Sequence, residues 1–266
     1  MALELLEGEG PKALRWSQEL ISAKILERPN RYVARVALAA GVEARAHVPV
    51  GGRIGGLTLD GLPCLLSGPY VGRSTDYTVE AIGSHYDRLH SDFQWIYIDQ
   101  TAANRHFKSA AAACELDGIF GSSSAISEVK GEVKLEAKRI DFYLPDGPQD
   151  PPLWLELKTP LISLDTVLDP AIPLKVFPSA APSQRMPQQF EALARRKALG
   201  DRVAFLGVFG YKPSSVSSPE ARFLANLNLD GLVDKGVALG MEFWQLQWRM
   251  DENSLEVESL QRLFCD

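Results

Sequence analysis

The sequence predicts an α+β protein with two domains, a small N-terminal β-barrel followed by a larger α/β domain. The 266 residues are more than one domain of ordinary size needs, and 45% hydrophobic with 23% charged residues is typical of a folded chain. Residues 22–82 carry short stretches of strand character, whereas strands and helices alternate through the second half. We therefore predict domains at residues 1–85 and 86–266.

The predicted strands of the first domain contain β-branched and aromatic residues and are separated by glycines at 41, 51–52, 55–56 and 61. About five strands in about 60 residues suit a closed barrel such as an OB-fold. Another small barrel or a meander would show the same spacing. The glycine-rich stretch has no GKS and no following helix, so it is not a nucleotide-binding P-loop.

Charge is unevenly distributed along the chain, although the net charge is −6. Residues 12–73 hold nine basic and four acidic residues, a net charge of +5, which leaves −11 for the remainder. Such a basic block indicates a module that contacts nucleic acid, the alternative being a charge segregation without function. The candidate residues are Arg28, Arg31 and Arg35, which flank Tyr32, an aromatic ring able to stack on a base.

The elements of the second domain follow from local patterns. We predict a strand at 94–99, a helix at 101–116, and two strands within 132–158 that the proline-rich turn 145–152 separates. A helix begins near Pro187, the apolar stretch 203–209 is a buried strand, 220–239 is helical, and 241–250 is a final strand. The two tryptophans of this last strand, Trp244 and Trp248, share one face, which predicts a place in the core.

One pair of predicted strands carries a set of residues suited to catalysis. Asp141 lies on the first strand, and Glu156 and Lys158 share one face of the second. Two carboxylates can bind a divalent cation such as Mg²⁺, and a lysine beside the bound water suits phosphodiester hydrolysis. This D-x(n)-E-x-K pattern is that of the PD-(D/E)xK nuclease core. An ordinary exposed strand with an ion pair gives the same pattern.

The order and spacing of several segments resemble the sugar fermentation stimulation protein (SfsA) family. The segments are ERPNRYVARV (27–36), AHVPVGGRI (46–54), WIYIDQTAANR (95–105), EVKLEAKRIDFYL (132–144), LWLELKTPLI (153–162), KVFPSA (175–180) and VAFLGVF (203–209). This resemblance implies an N-terminal OB-fold-like domain, a C-terminal PD-(D/E)xK nuclease-like domain, and DNA binding linked to the regulation of sugar (maltose) metabolism genes. The departures from the family pattern include Ser179, Met186 and Gln189.

Carried over by position, the resemblance implies a site of Glu132, Asp141, Glu156 and Lys158. Asp141 and Glu156 would hold Mg²⁺ or Mn²⁺ with help from Glu132, and Lys158 would position or activate the attacking water. Arg53, in the matching glycine-rich stretch, joins the candidates for nucleic-acid binding. The function expected is DNA binding with a metal-dependent nuclease-like site, or DNA binding alone. A role that involves RNA or protein partners is the third alternative. The sequence does not determine the oligomeric state, for which a homodimer is one alternative.

The cellular setting follows from the cysteines and the N-terminus. Cys64, Cys114 and Cys265 form no CxxC pair, which is typical of reduced thiols. The first residues are acidic where a signal peptide is basic, and no apolar run approaches the roughly 18 residues of a membrane span. We therefore expect a cytoplasmic protein without membrane contact.

Overall fold

Two β-sheets organise the computed structural model of the chain. It describes residues 3–5, 14–16, 18–50, 54, 56–112, 116, 119, 129–145, 151–161, 164, 168–174, 185–212, 218–227 and 231–264. The strands are β1 (Leu3–Leu5), β2 (Leu14–Trp16), β3 (Ile21–Asn30), β4 (Val33–Ala37), β5 (Glu43–His47), β6 (Pro63–Ser67), β7 (Tyr77–Gly83), β8 (Trp95–Tyr97), β9 (Lys130–Leu135), β10 (Lys138–Leu144), β11 (Leu153–Lys158), β12 (Arg202–Phe209), β13 (Glu242–Met250) and β14 (Ser254–Leu263). The helices are α1 (Ala103–Ala112), α2 (Arg185–Ala198), α3 (Pro219–Leu227) and α4 (Leu232–Ala238), with a short 3₁₀ turn at Ala39–Gly41.

The first sheet closes into a five-stranded barrel, as predicted. Its order is β5-β4-β3-β6-β7-β8, and a parallel pairing of β5 with β7 closes the ring and leaves β8 outside it. Apolar side chains that alternate along these strands fill the interior, Ile25, Val36 and Leu66 among them. Counted along the chain, the barrel strands are β3, β4, β5, β6 and β7. In the closed ring the fourth and fifth of them lie between the first and the third, which is the connectivity of an OB-fold.

The second sheet has eight strands in the order β1-β2-β14-β13-β12-β11-β10-β9. Its centre is parallel, since β12 pairs in parallel with both β11 and β13. One face packs on α1 and the barrel side around Phe107 and Trp248, and the other packs on α2 around Phe190 and Phe243. Because β12 lies between these two cores, it is apolar along its length. The C-terminal half is therefore an α/β domain, as predicted.

Several element predictions need correction. The stretch 132–144 is two strands, β9 and β10, because the chain turns at Glu136, whose φ is 54°. The helix predicted from Pro187 starts at Arg185, and the region 220–239 divides into α3 and α4. Strands β1, β2 and β14, at one side of the second sheet, were not predicted. Trp244 and Trp248 lie in the core as expected.

The boundary between residues 85 and 86 stays a prediction, and strands on each side of it belong to the sheet of the other domain. Strands β1 and β2 precede the barrel in sequence but extend the second sheet through β14. Strand β8 follows the boundary but pairs with β7 of the barrel sheet. Cys64 is a buried free thiol, whereas Cys114 and Cys265 lie outside the described residues. Over the described residues, none of the helices is long and apolar enough to cross a membrane.

Candidate functional site

Asp141, Glu156 and Lys158 meet where β10 and β11 separate. The ladder between these strands runs over Leu144↔Leu153 to Phe142↔Leu155 and ends there. One step further, Asp141 Oδ2 accepts a hydrogen bond of 2.8 Å from the backbone amide of Leu157. A side chain thus replaces the missing ladder bond, which holds the Asp141 carboxylate between the two strands and beside Glu156.

Glu132 and Asn104 complete this group, which we call the carboxylate cluster (Asn104, Glu132, Asp141, Glu156 and Lys158). The side-chain amide of Asn104, on α1, donates to Asp141 Oδ1 at 3.1 Å and lies 3.4 Å from Glu132 Oε1. Glu132 adopts a φ of 54° in the middle of β9, a conformation that costs free energy for a residue with a Cβ. This strained residue lies opposite Asp141 in the β9–β10 register.

The predicted alternation along β10 breaks at this point. We expected Ile140, Phe142 and Leu144 on one face. Phe142 and Leu144 pack in the core on the α1 side, whereas Ile140 packs with Trp154 in the core on the α2 side. The faces of the hairpin therefore exchange at Asp141, opposite the left-handed Glu132, and the Asp141 carboxylate reaches the open end of the β10–β11 ladder.

Glu156 is a buried carboxylate with one partner. It is 1% exposed, and Lys158 Nζ donates a hydrogen bond to its Oε1. Its other oxygen, Oε2, is buried and has no hydrogen-bond partner within the described part of the chain. Burial raises the pKa of Glu156 to about 7, although the Lys158 ammonium opposes that rise and the Asp141 charge adds to it.

Lys158 is oriented by a residue that sequence reasoning did not assign to the site. Gln189, on α2, has its Oε1 3.5 Å from Lys158 Nζ and donates from Nε2 to the backbone oxygen of Arg139 at 3.0 Å. Gln189 is buried and bridges β10 and β11. In the sequence it stands out only as a departure from the family pattern, and local analysis misses this contact because the two residues are 31 positions apart.

The cluster provides some, but not all, of the ligands that a hard cation such as Mg²⁺ needs. Mg²⁺ accepts two neighbouring carboxylates as ligands when waters fill its other positions, and one of these two has a buried oxygen without a partner among the described residues. A full protein cage is absent, since no three His, Cys, Asp or Glu side chains among the described residues are grouped to hold a metal ion. Glu132 is directed towards Asn104 and lies 3.8 Å from Arg139 at its other oxygen.

A second candidate surface lies on two neighbouring loops of the barrel. In the β3–β4 loop, the Arg31 guanidinium lies 4.4 Å from the centre of the Tyr32 ring, and Tyr32 is 43% exposed. In the β6–β7 loop, Arg73 lies 4.0 Å from the centre of the Tyr70 ring. These loops connect the first and second, and the fourth and fifth, barrel strands, the positions at which OB-folds bind oligonucleotides.

The register shows that the two arginine–tyrosine pairs share one side of the barrel. Val33, His47, Thr78 and Ser67 follow one another across β4, β5, β7 and β6. Three strand spacings of about 4.8 Å separate Val33 from Ser67, about 14 Å measured along the barrel wall. We call this surface the barrel face (Arg31, Tyr32, Arg45, Tyr70 and Arg73).

The predicted arginines of the barrel are not equivalent. Arg35 is paired with Glu27 at 2.6 Å and Glu43 at 2.8 Å, which raises its pKa and neutralises its charge. Arg45, its exposed partner across the β4–β5 ladder, contacts no carboxylate in the described part of the chain. Arg28 is half-buried beside Arg31, and burial lowers its pKa. Arg53 lies outside the described residues, as does Ser179.

Sequence reasoning therefore missed Arg45, Tyr70 and Arg73 on the barrel face and Asn104 and Gln189 at the carboxylate cluster. The OB-fold prediction contained a signal for Tyr70 and Arg73, because they fall in the loop between the last two barrel strands. For Asn104, the signal was its place in the first turn of a helix that directly follows a buried strand.

Comparisons with known proteins cover nearly the whole chain. The family described as SfsA N-terminal OB domain matches residues 26–98, and that described as Sugar fermentation stimulation protein RE domain matches residues 101–254. The chain is 30% identical over 196 residues to a sugar fermentation stimulation protein homolog of Symbiobacterium thermophilum, covering 69% of this chain and 71% of the relative. It is 28% identical over 207 residues to the homolog of Desulforamulus reducens, covering 76% and 77%.

A solved structure shows the same fold. The chain resembles "The structure of Pyrococcus Furiosus SfsA in complex with Ca2+" with a TM-score of 0.67 and 17% identity, over 93% of this chain and 96% of that one. The likeness supports an N-terminal OB domain joined to a C-terminal α/β domain. The two family matches meet near residue 100, directly after β8.

Proposed function

Because the chain belongs to the sugar fermentation stimulation protein family, we propose that it binds DNA through the barrel face. We further propose that the carboxylate cluster is a divalent-metal-dependent site for phosphodiester hydrolysis. The observation that carries the proposal is the pair of arginine-on-tyrosine contacts on the two oligonucleotide-binding loops of an OB-fold. The metal chemistry rests on the adjoining carboxylates of Asp141 and Glu156.

The barrel face suits a nucleic-acid strand in both charge and shape. Each tyrosine ring provides a surface on which a base can stack, and the neighbouring guanidinium can bind a phosphate. Arg45 lies between the two loops without a carboxylate partner in the described residues, so its charge is available to the backbone of the nucleic acid. Arg28 adds a half-buried cation beside Arg31.

Asp141 and Glu156 would hold Mg²⁺ or Mn²⁺, with Glu132 assisting. The Pyrococcus furiosus protein was solved with Ca²⁺, a cation that also prefers oxygen ligands. A bound divalent ion lowers the pKa of a water ligand and stabilises charge on a phosphate. Lys158, positioned by Gln189, would orient the attacking water or take up its proton, and the backbone amide of Leu157 fixes the Asp141 carboxylate.

DNA binding is tested by fluorescence anisotropy with labelled single-stranded and duplex oligonucleotides. We expect Tyr32→Ala and Tyr70→Ala each to weaken binding, because base–aromatic stacking contributes about 1–3 kcal/mol per base. Tyr86→Ala, which removes a tyrosine of similar exposure outside the barrel face, is the matched control. Equal affinity of all four proteins would exclude the barrel face as the binding surface.

Catalysis is tested by cleavage of plasmid and single-stranded DNA in Mg²⁺ and in Mn²⁺. We expect Glu156→Ala and Lys158→Ala to abolish metal-dependent cleavage, whereas Asp234→Asn, an exposed carboxylate on α4, retains it. If Glu156→Ala still cleaves DNA, the activity does not come from the carboxylate cluster.

A second function is a DNA-binding regulator of sugar (maltose) metabolism genes that retains the nuclease fold without catalysis. It is favoured by the way protein groups occupy the cluster, since Lys158 is bound to Glu156 and Asn104 is bound to Asp141. The same experiment distinguishes the two functions. No cleavage by the wild type, with DNA bound equally by wild type, Glu156→Ala and Lys158→Ala, would support DNA binding without catalysis.

A further inference from the structure

We infer that Lys108, Lys134 and Arg139 form a second phosphate-binding surface, which holds the DNA backbone beside the carboxylate cluster. We call these three residues the hairpin surface. The inference rests on the proposed function, since it concerns how the same DNA reaches Asp141 and Glu156. Nothing in the sequence pattern assigned these residues, which lie outside the basic N-terminal block.

The three cations lie next to the cluster on three elements, α1, β9 and β10. Lys134 and Arg139 are direct partners across the β9–β10 ladder, near the tip of the hairpin. Glu132 precedes Lys134 by two residues, and Asp141 follows Arg139 by two. Lys108 lies one helical turn after Asn104 on α1, and Asn104 contacts both of these carboxylates. A backbone that spans Lys108 and the hairpin therefore passes next to the cluster.

These cations are available, whereas several other basic residues of the second domain are held in ion pairs. Arg195, Arg196, Arg202 and Lys235 are all bound to carboxylates at 2.5–2.8 Å. In the described part of the chain, Lys108 and Lys134 have no carboxylate partner, and both are exposed. The Arg139 side chain is 74% exposed, with Glu132 at 3.8 Å as its ion-pair partner.

A wide cleft elsewhere in the described structure does not suit a polyanion. It has a volume of about 1480 Å³ and lies at the carboxyl ends of β12 and β13, facing the loop after β7. Three basic residues line it against five acidic ones, a net charge of −2 with its histidines neutral. Two of its arginines are already paired, Arg88 with Glu252 and Arg249 with Glu256. Repulsion thus favours the hairpin surface as the path of the DNA.

The test uses counterion release, which reports how many phosphates the protein neutralises. The full-length chain is titrated with a labelled DNA duplex over a series of NaCl concentrations, without divalent metal. The test variant is the triple substitution Lys108→Gln/Lys134→Gln/Arg139→Gln. The plot of log K against log [NaCl] has a negative slope, and we expect its magnitude to be smaller by about 2.7 in this variant, because each neutralised phosphate contributes about 0.9. Its Kd at 0.1 M salt is then expected to rise on the order of a hundredfold.

The control variant removes three positive charges from positions outside the hairpin surface. Lys197→Gln/Lys212→Gln/Arg262→Gln is expected to keep the wild-type slope, and circular dichroism checks that both triple variants fold. Equal slopes for the two variants, lowered or not, would overturn the inference. If Arg31→Ala/Arg73→Ala weakens binding while the hairpin triple variant retains the wild-type slope, the proposed function stands and the inference fails. A wild type that binds no DNA would overturn both.

Discussion

Glu80 provides a test of the electrostatics of a buried position on the barrel wall that is independent of any ligand. It lies on β7, 4% exposed, and accepts a hydrogen bond of 2.5 Å from Ser67 Oγ, which in turn accepts one of 2.8 Å from the Tyr70 hydroxyl. Burial, with a smaller contribution from the charge of Asp99, raises the pKa of Glu80 from 4.5 to about 7. A buried carboxyl therefore supports Tyr70, one of the two aromatic rings of the barrel face.

The sign of the pH effect follows from which state holds the proton. Between pH 4.5 and about 7 the Glu80 carboxyl is ionised in the unfolded chain but protonated in the folded one. The free energy of unfolding therefore falls as the pH rises through this window and levels off above it. At 1.36 kcal/mol for each pH unit, the loss is about 3 kcal/mol.

The substitution Glu80→Gln removes this titration while keeping the shape of the side chain and an acceptor for Ser67. Urea unfolding at pH 5 and at pH 8 gives the free energy of unfolding of both proteins. We expect the variant to gain about 2.5 kcal/mol relative to wild type between these two pH values, because pH 5 already lies inside the window. Glu19→Gln, at an exposed position before β3, is the control. A constant difference between wild type and Glu80→Gln at the two pH values would refute the reasoning.

Two further predictions concern single residues. In Asp201→Ala, the indole nitrogen of buried Trp154 and the guanidinium of Arg196 lose the carboxylate that they share at 2.8 and 2.5 Å; urea unfolding is expected to show a loss of about 1–3 kcal/mol. An unchanged unfolding midpoint would contradict this. In DNA titrations, Arg45→Gln is expected to weaken binding more than Arg35→Gln, because Arg35 is already neutralised by two glutamates. Equal losses of affinity would show that the ion pairs of Arg35 open on binding.

The sequence predicted the features that depend on local patterns. The barrel strands follow from alternation and glycine spacing, and the closed ring appears where expected. Glu156 and Lys158 point to the same side because they lie two residues apart on β11, and the structure joins them by a hydrogen bond. The apolar stretch 203–209 is the central strand because only a strand covered on both faces is apolar throughout.

Contacts between distant elements could not be predicted in the same way. The exchange of faces at Asp141 depends on the left-handed backbone of Glu132, a residue type with no preference for that conformation. Gln189 reaches the site because α2 packs across the second sheet. The pairing of the Arg35 charge needs two glutamates from neighbouring strands, each eight residues away. In each case the deciding neighbour is brought in by tertiary packing.

The segment from β8 to α1 connects the barrel face to the carboxylate cluster. Strand β8 extends the barrel sheet, and the Tyr97 amide donates to the Gly210 oxygen at the end of β12, at 2.7 Å. A Cβ on Gly210 would lie 2.5 Å from the Tyr97 backbone oxygen, so the two backbone segments are in direct contact and are fixed relative to each other. Seven residues after Tyr97, Asn104 contacts Asp141. The barrel thus positions part of the cluster directly, and DNA held on the barrel face, as we propose, would have to span a fixed distance to reach it. The length of duplex at which affinity stops rising measures that distance.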